Sequence, residues 1–280
     1  MAVLNISTYK FVSLDDREAL RERLQQQCGA LALKGTILLA PEGINIFLAG
    51  EAAGIHAFLD WLHQDPRFAD IVAKESWSTA VPFRKMRVRL KKEIITMKVP
   101  DIRPEEHRAE TVSPATLKTW LDRGRDDAGR EIVMIDTRNV FEVEAGTFIN
   151  ALDFGIERFS QYPEAIAAHQ RDFAGKAIIT FCTGGIRCEK AVLYMNKLGM
   201  GNVYQLDGGI LKYFEECGAA HYDGECFVFD KRVALDGELK PTQTNMCFAC
   251  RSVLTSEDQQ SADYVLGVSC PYCVHKQAVA

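Results

Sequence analysis

Ala177-Ile178-Ile179-Thr180-Phe181-Cys182-Thr183-Gly184-Gly185-Ile186-Arg187-Cys188 is the stretch that decides how the middle of this chain folds. Its first five residues form a short apolar run suited to a strand buried on both faces. The run ends at Cys182, a glycine pair follows, and a helix is predicted over Cys188–Leu198, stopped by Gly199. Glycines let a loop curl until successive backbone N–H groups point inward. The helix N-terminus adds a positive partial charge, and Arg187 adds a full one. Both favour a thiolate, so Cys182 is expected to ionise below the ordinary cysteine range and to be nucleophilic at neutral pH. Cys188 could resolve an oxidised Cys182, but as the first residue of a helix it is more simply structural.

Around this loop, residues 110–220 alternate helix and strand, which calls for a parallel sheet covered on both faces. Ser113 and Pro114 open a helix as N-cap and first residue. Ile132–Asp136 reads as a buried strand and Val203–Leu206 as a further short one. Asp136 and Arg138 read as a pair tying a strand end to the core rather than as catalytic groups. Upstream, Pro100, Pro104 and Pro114 punctuate Lys98–Ser113, a predicted linker, because proline removes backbone donors and restricts the residue before it. Before the linker, strands are predicted over Val3–Val12, Thr36–Ala40 and Ile44–Ala49, and near Ile71–Trp77 and Arg84–Met97. Helices are predicted over Asp15–Gln27, with Ser13 as N-cap, and over Ala52–His63. Pro41-Glu42-Gly43 signals a hairpin turn. The β-α-β-β-α-β order is that of the ferredoxin-like pattern, with one strand more.

The expected architecture is therefore α/β in three parts: residues 1–98 ferredoxin-like, residues 110–220 a parallel-sheet domain, and residues 221–280 a small cysteine-rich segment. That last segment opens on a short hairpin (Phe227–Phe229, then Arg232–Leu235) and is too small to hold a large core without a staple. It carries Cys247-Phe248-Ala249-Cys250 and Cys270-Pro271-Tyr272-Cys273, a spacing that suits a four-thiolate zinc site. Cys28, Cys217 and Cys226 belong to no motif and are expected to be structural.

The chain has 280 residues, 47% hydrophobic and 25% charged, which excludes disorder and fibre. No apolar run approaches the roughly 18 residues of a membrane span, and the start lacks the pattern of a secretion signal. Nine cysteines, two pairs of them as Cys-x-x-Cys, suit a reducing compartment, so a cytoplasmic protein without a membrane partner is expected. Net charge is −5, yet residues 1–100 carry 14 Lys and Arg against 11 Asp and Glu, while residues 110–220 carry 12 against 16. An anionic partner should therefore meet the first domain. There, strand alternation over Phe83–Lys92 puts Lys85, Arg87, Arg89 and Lys91 on one face, opposite Met86, Val88 and Leu90. Four such cations could neutralise phosphates on RNA, or could simply protect an edge strand. There is no Gly-x-Gly-x-x-Gly fingerprint of a nucleotide cofactor and no two-histidine-one-carboxylate triad.

Cys182-Thr183-Gly184-Gly185-Ile186-Arg187 resembles the active-site loop of rhodanese domains, and Asp136-Thr137-Arg138, Gly146–Ala151 and Leu206-Asp207-Gly208-Gly209 sit where such domains keep their other landmarks. Cysteine-based phosphatases enclose five residues between Cys and Arg; Cys182 and Arg187 enclose four. With Pro41-Glu42-Gly43-Ile44-Asn45 in the first domain and Cys182–Lys190 in the second, the whole chain resembles the bacterial TrhO family of tRNA uridine hydroxylases. The resemblance implies an acylphosphatase-like first domain and oxygen-dependent formation of 5-hydroxyuridine at the wobble position. It further implies tRNA as partner, molecular oxygen as co-substrate and Cys182 as the active-site cysteine; nothing points to DNA. The alternative is sulfurtransfer, with Cys182 taking sulfane sulfur from a donor as a persulfide.

Overall fold

The computed structural model describes residues 2–247 and 249–274; Phe248, inside the first cysteine pair, lies outside the described residues. The first domain runs β1 (Val3–Phe11), α1 (Arg17–Ala30), β2 (Lys34–Ala40), β3 (Gly43–Gly50), α2 (Ala52–Leu62), β4 (Lys74–Ser78), β5 (Met86–Leu90). Its sheet has the order β4-β1-β3-β2-β5. The first four strands give the expected ferredoxin-like order, and β5 joins parallel to β2 as the fifth. One face carries Leu4, Ile6, Ile37, Leu39, Ile46 and Leu48 into a core closed by Leu20, Leu24, Ile55 and Phe58 of the two helices.

Three boundaries differ from expectation. Ser13 does not cap α1. Val12 and Leu14 still donate backbone N–H groups to Glu42 and Pro41 at the hairpin turn, so the helix starts only at Arg17, with Asp16 at the cap position. The strand expected over Arg84–Met97 ends at Leu90, because the chain then leaves the sheet and buries Ile94 and Met97. The stretch expected as a linker packs as well: Met97, Ile102 and Ala109 belong to the core of the second domain.

The second domain continues with β6 (Thr111–Val112), α3 (Pro114–Arg123), β7 (Ile132–Asp136), α4 (Val140–Val143), β8 (Gly146–Phe148), α5 (Tyr162–Ala168), β9 (Ala177–Phe181), α6 (Ile186–Lys197), β10 (Val203–Leu206) and α7 (Gly209–Cys217). Ser113 caps α3, its hydroxyl accepting the Thr116 N–H, with Pro114 in the first turn. The sheet β6-β10-β9-β7 is parallel throughout, and the fully buried β9 lies in its interior. Helix α6 starts at Ile186, two residues before the expected Cys188, so Arg187 and Cys188 both lie in its first turn. Asp136 and Arg138 form the expected structural pair. Arg138 is fully buried and holds Asp136 through two nitrogens and the Gly146 carbonyl through a third contact.

The last segment contributes β11 (Tyr222–Gly224), which pairs with β8, then the hairpin β12 (Cys226–Phe227) and β13 (Ala234–Leu235). A small unit follows: β14 (Asn245–Met246), β15 (Val253–Leu254) and α8 (Ser256–Gln260), whose own core is Leu254 with Cys247, Cys270 and Cys273. Among the described residues no helix is long and apolar enough to cross a membrane.

Candidate functional site

The Cys182 loop leaves the carboxyl end of β9, where parallel sheets present their ligand sites. Gly185 adopts φ +98° as the N-cap of α6, a conformation that side chains strain to reach, and its backbone N–H donates to Cys182 Sγ at 3.1 Å. A second glycine pair closes the cradle from outside. Gly208 and Gly209 both have positive φ, and a side chain at Gly209 would run into the Cys182 carbonyl oxygen. That closeness lets Ile210 and Leu211 donate their N–H groups to the Cys182 and Thr183 carbonyls, at 3.0 and 3.1 Å.

Burial by itself opposes ionisation of Cys182. The neighbouring Cys188 thiol, the Arg187 charge and the backbone N–H groups of Arg187 and Gly185 outweigh it, and hold the thiol below its ordinary 9.0. Burial and the Cys182 charge push Cys188 the other way, so Cys182 gives up the first proton of the pair. Arg187 is itself paired: its two terminal nitrogens donate to both oxygens of the buried Glu142, at 2.6 and 2.7 Å. The guanidinium therefore acts as a fixed charge beside the sulfur rather than as a free anion clamp.

The loop faces the first domain across a cavity of about 690 Å³. Thr183, Gly184, Ile186 and Arg187 form one wall, and Cys182 is buried behind it. The opposite wall is the helix-free face of the first sheet, with Ser7, Tyr9, Lys74, Thr36, Leu38 and Phe47. The hairpin of the last segment gives the third wall through Val228, Phe229 and Leu235. Two anchors fix these parts. The buried Lys190 of α6 binds Glu42 of the first hairpin turn at 2.8 Å, Glu93 at 2.7 Å and the Ile95 carbonyl at 3.0 Å. Arg232 donates to Ser76 on β4 at 2.7 Å while paired with Asp230. The cavity thus lies at the junction of all three segments.

Among the residues singled out from sequence, Cys182 and Thr183–Arg187 come together as expected. Arg87 and Arg89 are exposed on the edge strand β5 and stand beside Thr36 and Leu38 in register, so they share the face that floors the cavity. Lys85 and Lys91 flank them, also exposed, just beyond the ends of that strand. Met86, Val88 and Leu90 pack on the core side. The four tail cysteines do not line the cavity. Their sulfurs gather within 4.8 Å of one another, with neighbours at 3.6, 3.7 and 3.9 Å. A tetrahedral site with Zn–S bonds of about 2.3 Å separates its sulfurs by roughly 3.8 Å, so the group could hold a metal. Cys28 and Cys226 are buried thiols whose pKa burial drives up to about 12, in keeping with a structural role. Sequence reasoning missed Tyr9, Lys74, Glu142 and Lys190. The Tyr9 hydroxyl lies 3.4 Å from Glu189, and a Cβ on Gly185 would come within 2.9 Å of it.

A rhodanese-like sheet carrying a cradled cysteine, roofed by an acylphosphatase-like domain, defines the class. Family models agree: "UPF0176 acylphosphatase like domain" matches residues 3–94 and "Rhodanese-like domain" residues 113–216. The chain is 61% identical to the tRNA uridine(34) hydroxylase of Ralstonia nicotianae over 100% of its length and 99% of that protein. It is 61% identical to that of Cupriavidus necator over 98% of this chain and 97% of that one. Against that of Burkholderia vietnamiensis it is 56% identical over the full length of both. The chain belongs to the tRNA uridine(34) hydroxylase family.

Proposed function

We propose that this protein hydroxylates uridine 34 of tRNA to 5-hydroxyuridine, with molecular oxygen as oxidant and Cys182 as the reactive group. The observation that carries the reading is the cavity, which sets the Cys182 loop against a sheet face edged with Arg87 and Arg89. Its volume lies within the roughly 300–1,000 Å³ of small-molecule sites, enough for one base turned out of the anticodon loop. Phe47, Phe229 and Tyr9 offer rings for that base to stack on. Gly184, two residues from Cys182, leaves open space on the cavity wall, with no atom within 4 Å of where a Cβ would sit. The base meets the sulfur there. Addition of the Cys182 thiolate to C6 makes C5 electron-rich toward an oxidant.

Lys85, Arg87, Arg89 and Lys91 hold the tRNA backbone while the base enters, and a tRNA substrate favours the cytoplasm as the protein's compartment. Cys247, Cys250, Cys270 and Cys273, which lie outside the cavity wall, would hold zinc, and the metal would staple the tail. Nucleoside mass spectrometry of tRNA from a deletion strain tests the reading. Loss of 5-hydroxyuridine at position 34, restored by this chain, supports it. Loss of a thiolated uridine instead would assign Cys182 to sulfurtransfer from a sulfur donor.

A further inference from the structure

The cavity holds a cation that the loop chemistry does not use. Lys74 lies on β4, in register with Ser7 of β1, and its half-buried side chain turns into the cavity. Of the other cations on the cavity wall, Arg187 is bound by Glu142, Arg232 by Asp230, and Arg158 lies 3.9 Å from Glu157. Lys98 is exposed at the rim. The Lys74 ammonium has no ion-pair or hydrogen-bond partner among the described residues; it stands 5.6 Å from the centre of the Tyr9 ring. Tyr9 in turn abuts Gly185, whose N–H holds Cys182 Sγ. Lys74, Tyr9, Gly185 and Cys182 are therefore successive neighbours across the domain junction.

A half-buried ammonium with no ion-pair partner, which feels only the more distant Cys182, Asp207 and Glu215, is costly to maintain in a folded chain. An aromatic ring beneath it offsets only part of that cost. Such a group is suited to receive negative charge from a ligand. Uracil carries two carbonyl oxygens, and addition of a nucleophile at C6 puts charge on one of them. The S–C6 bond forms, the C5=C6 π pair moves through C4, and the electron pair settles on O4 as an enolate. A positioned N–H donor at O4 stabilises that state more than the neutral ring, which is the condition for lowering the barrier.

We propose that Lys74 is a catalytic residue of the hydroxylase, its ammonium donating to O4 of the uracil and holding the enolate that forms as Cys182 adds to C6. This rests on the assignment of Cys182 as the nucleophile. Enclosure in the cavity lowers the pKa of Lys74, which makes its proton easier to share with the developing oxyanion. On this reading the chemistry draws on both domains: the nucleophile comes from one and the oxyanion donor from the other.

The test uses the full chain in a deletion strain, with Lys74→Met, Lys74→Arg and Cys182→Ser compared by 5-hydroxyuridine formed in the first minutes after induction. Lys74→Met should slow formation by about 100-fold, the cost of losing one oxyanion donor. The purified variant should bind tRNA within about threefold of the parent, since the change acts on the step and not on uniform binding. Peptide-resolved alkylation of Cys182 should likewise change little. Lys74→Arg, which keeps the charge and the strand's bulk, should restore part of the rate. Lys74→Met at near-parental rate overturns the proposal, as does a loss matched by an equal loss of tRNA affinity, which would make Lys74 a phosphate contact. Equal loss in Lys74→Arg and Lys74→Met would also overturn the charge role. If Cys182→Ser stays active, the nucleophile assignment fails instead, so the two failures are told apart.

Discussion

At Cys182 the sulfur faces the Cys188 thiol, a backbone N–H and a neighbouring guanidinium, whereas in the tail Cys247, Cys250, Cys270 and Cys273 face one another. Both are clusters of thiol chemistry, but their electrical surroundings are opposite. The loop supplies positive potential from the protein itself, through the Gly185 N–H and the Glu142-held charge of Arg187. Among the described residues no Lys or Arg side chain bonds to the tail sulfurs, and four thiolates within 4.8 Å of one another would repel strongly. A protein-built field leaves a sulfur ionised and available. A field that only a metal can supply leaves the sulfurs ionised and consumed. On the reading proposed above, one arrangement serves reaction and the other cohesion.

The largest effect expected from this contrast is at Cys182. Cys182→Ser preserves size but replaces an ionisable thiol by an alcohol that stays protonated near neutral pH. Hydroxylation of uridine 34 should vanish while the melting temperature holds, as read by nucleoside mass spectrometry and thermal unfolding. A fully active serine variant would break the contrast at its stronger end. Next is the ion that supports the loop field. Glu142→Ala leaves Arg187 buried with no partner, a change that costs roughly 3–5 kcal/mol, measurable by urea unfolding. An unchanged midpoint would mean that Arg187 finds water.

The tail gives the third test. Purified protein kept reduced and free of chelator should contain about one zinc per chain by metal analysis. Stripping it should expose residues 245–274 to protease while Cys182 alkylation continues unaltered, since the metal is the segment's main staple. Protein without any metal but with a protease-resistant tail would show that Leu254 and the thiols pack unaided.

What could be read from the sequence follows the same divide between near and far. The Cys182 loop, the Ser113–Pro114 helix start, the Pro41-Glu42-Gly43 hairpin and the alternation of Arg87 and Arg89 with Val88 are encoded by neighbours, and the structure contains each of them. Glu142 meets Arg187 across 45 positions, and Glu42 meets Lys190 across 148. No periodicity carries such a pairing. Tyr9 and Lys74 read as ordinary strand residues until the sheet face is known to look at the loop. The false N-cap at Ser13 has the same origin, since the hairpin turn holds Val12 and Leu14 in extended pairing past the local signal.

The smallest effect concerns how local the field at Cys182 is. Arg87 and Arg89 lie on the same sheet face beyond the cavity lining, and neither is among the main charges that lower the Cys182 pKa. A double Arg87→Ala, Arg89→Ala variant should therefore weaken tRNA binding several-fold and flatten the slope of log affinity against log salt by about 1.5, since two fewer phosphates are neutralised. The pH profile of Cys182 alkylation should stay where it is. Its sign is fixed: below the folded midpoint the sulfur is protonated and slow. Reactivity rises through that midpoint and levels off before pH reaches the 9.0 of an ordinary thiol, because the folded pKa is depressed. An upward shift of the profile in the double variant would mean that the sheet edge helps ionise the sulfur, and that the field at the loop is not local. An unchanged salt slope with an unchanged profile would leave Arg87 and Arg89 as protection for an exposed edge strand, and the phosphate track would then have to run past Lys98 at the cavity rim.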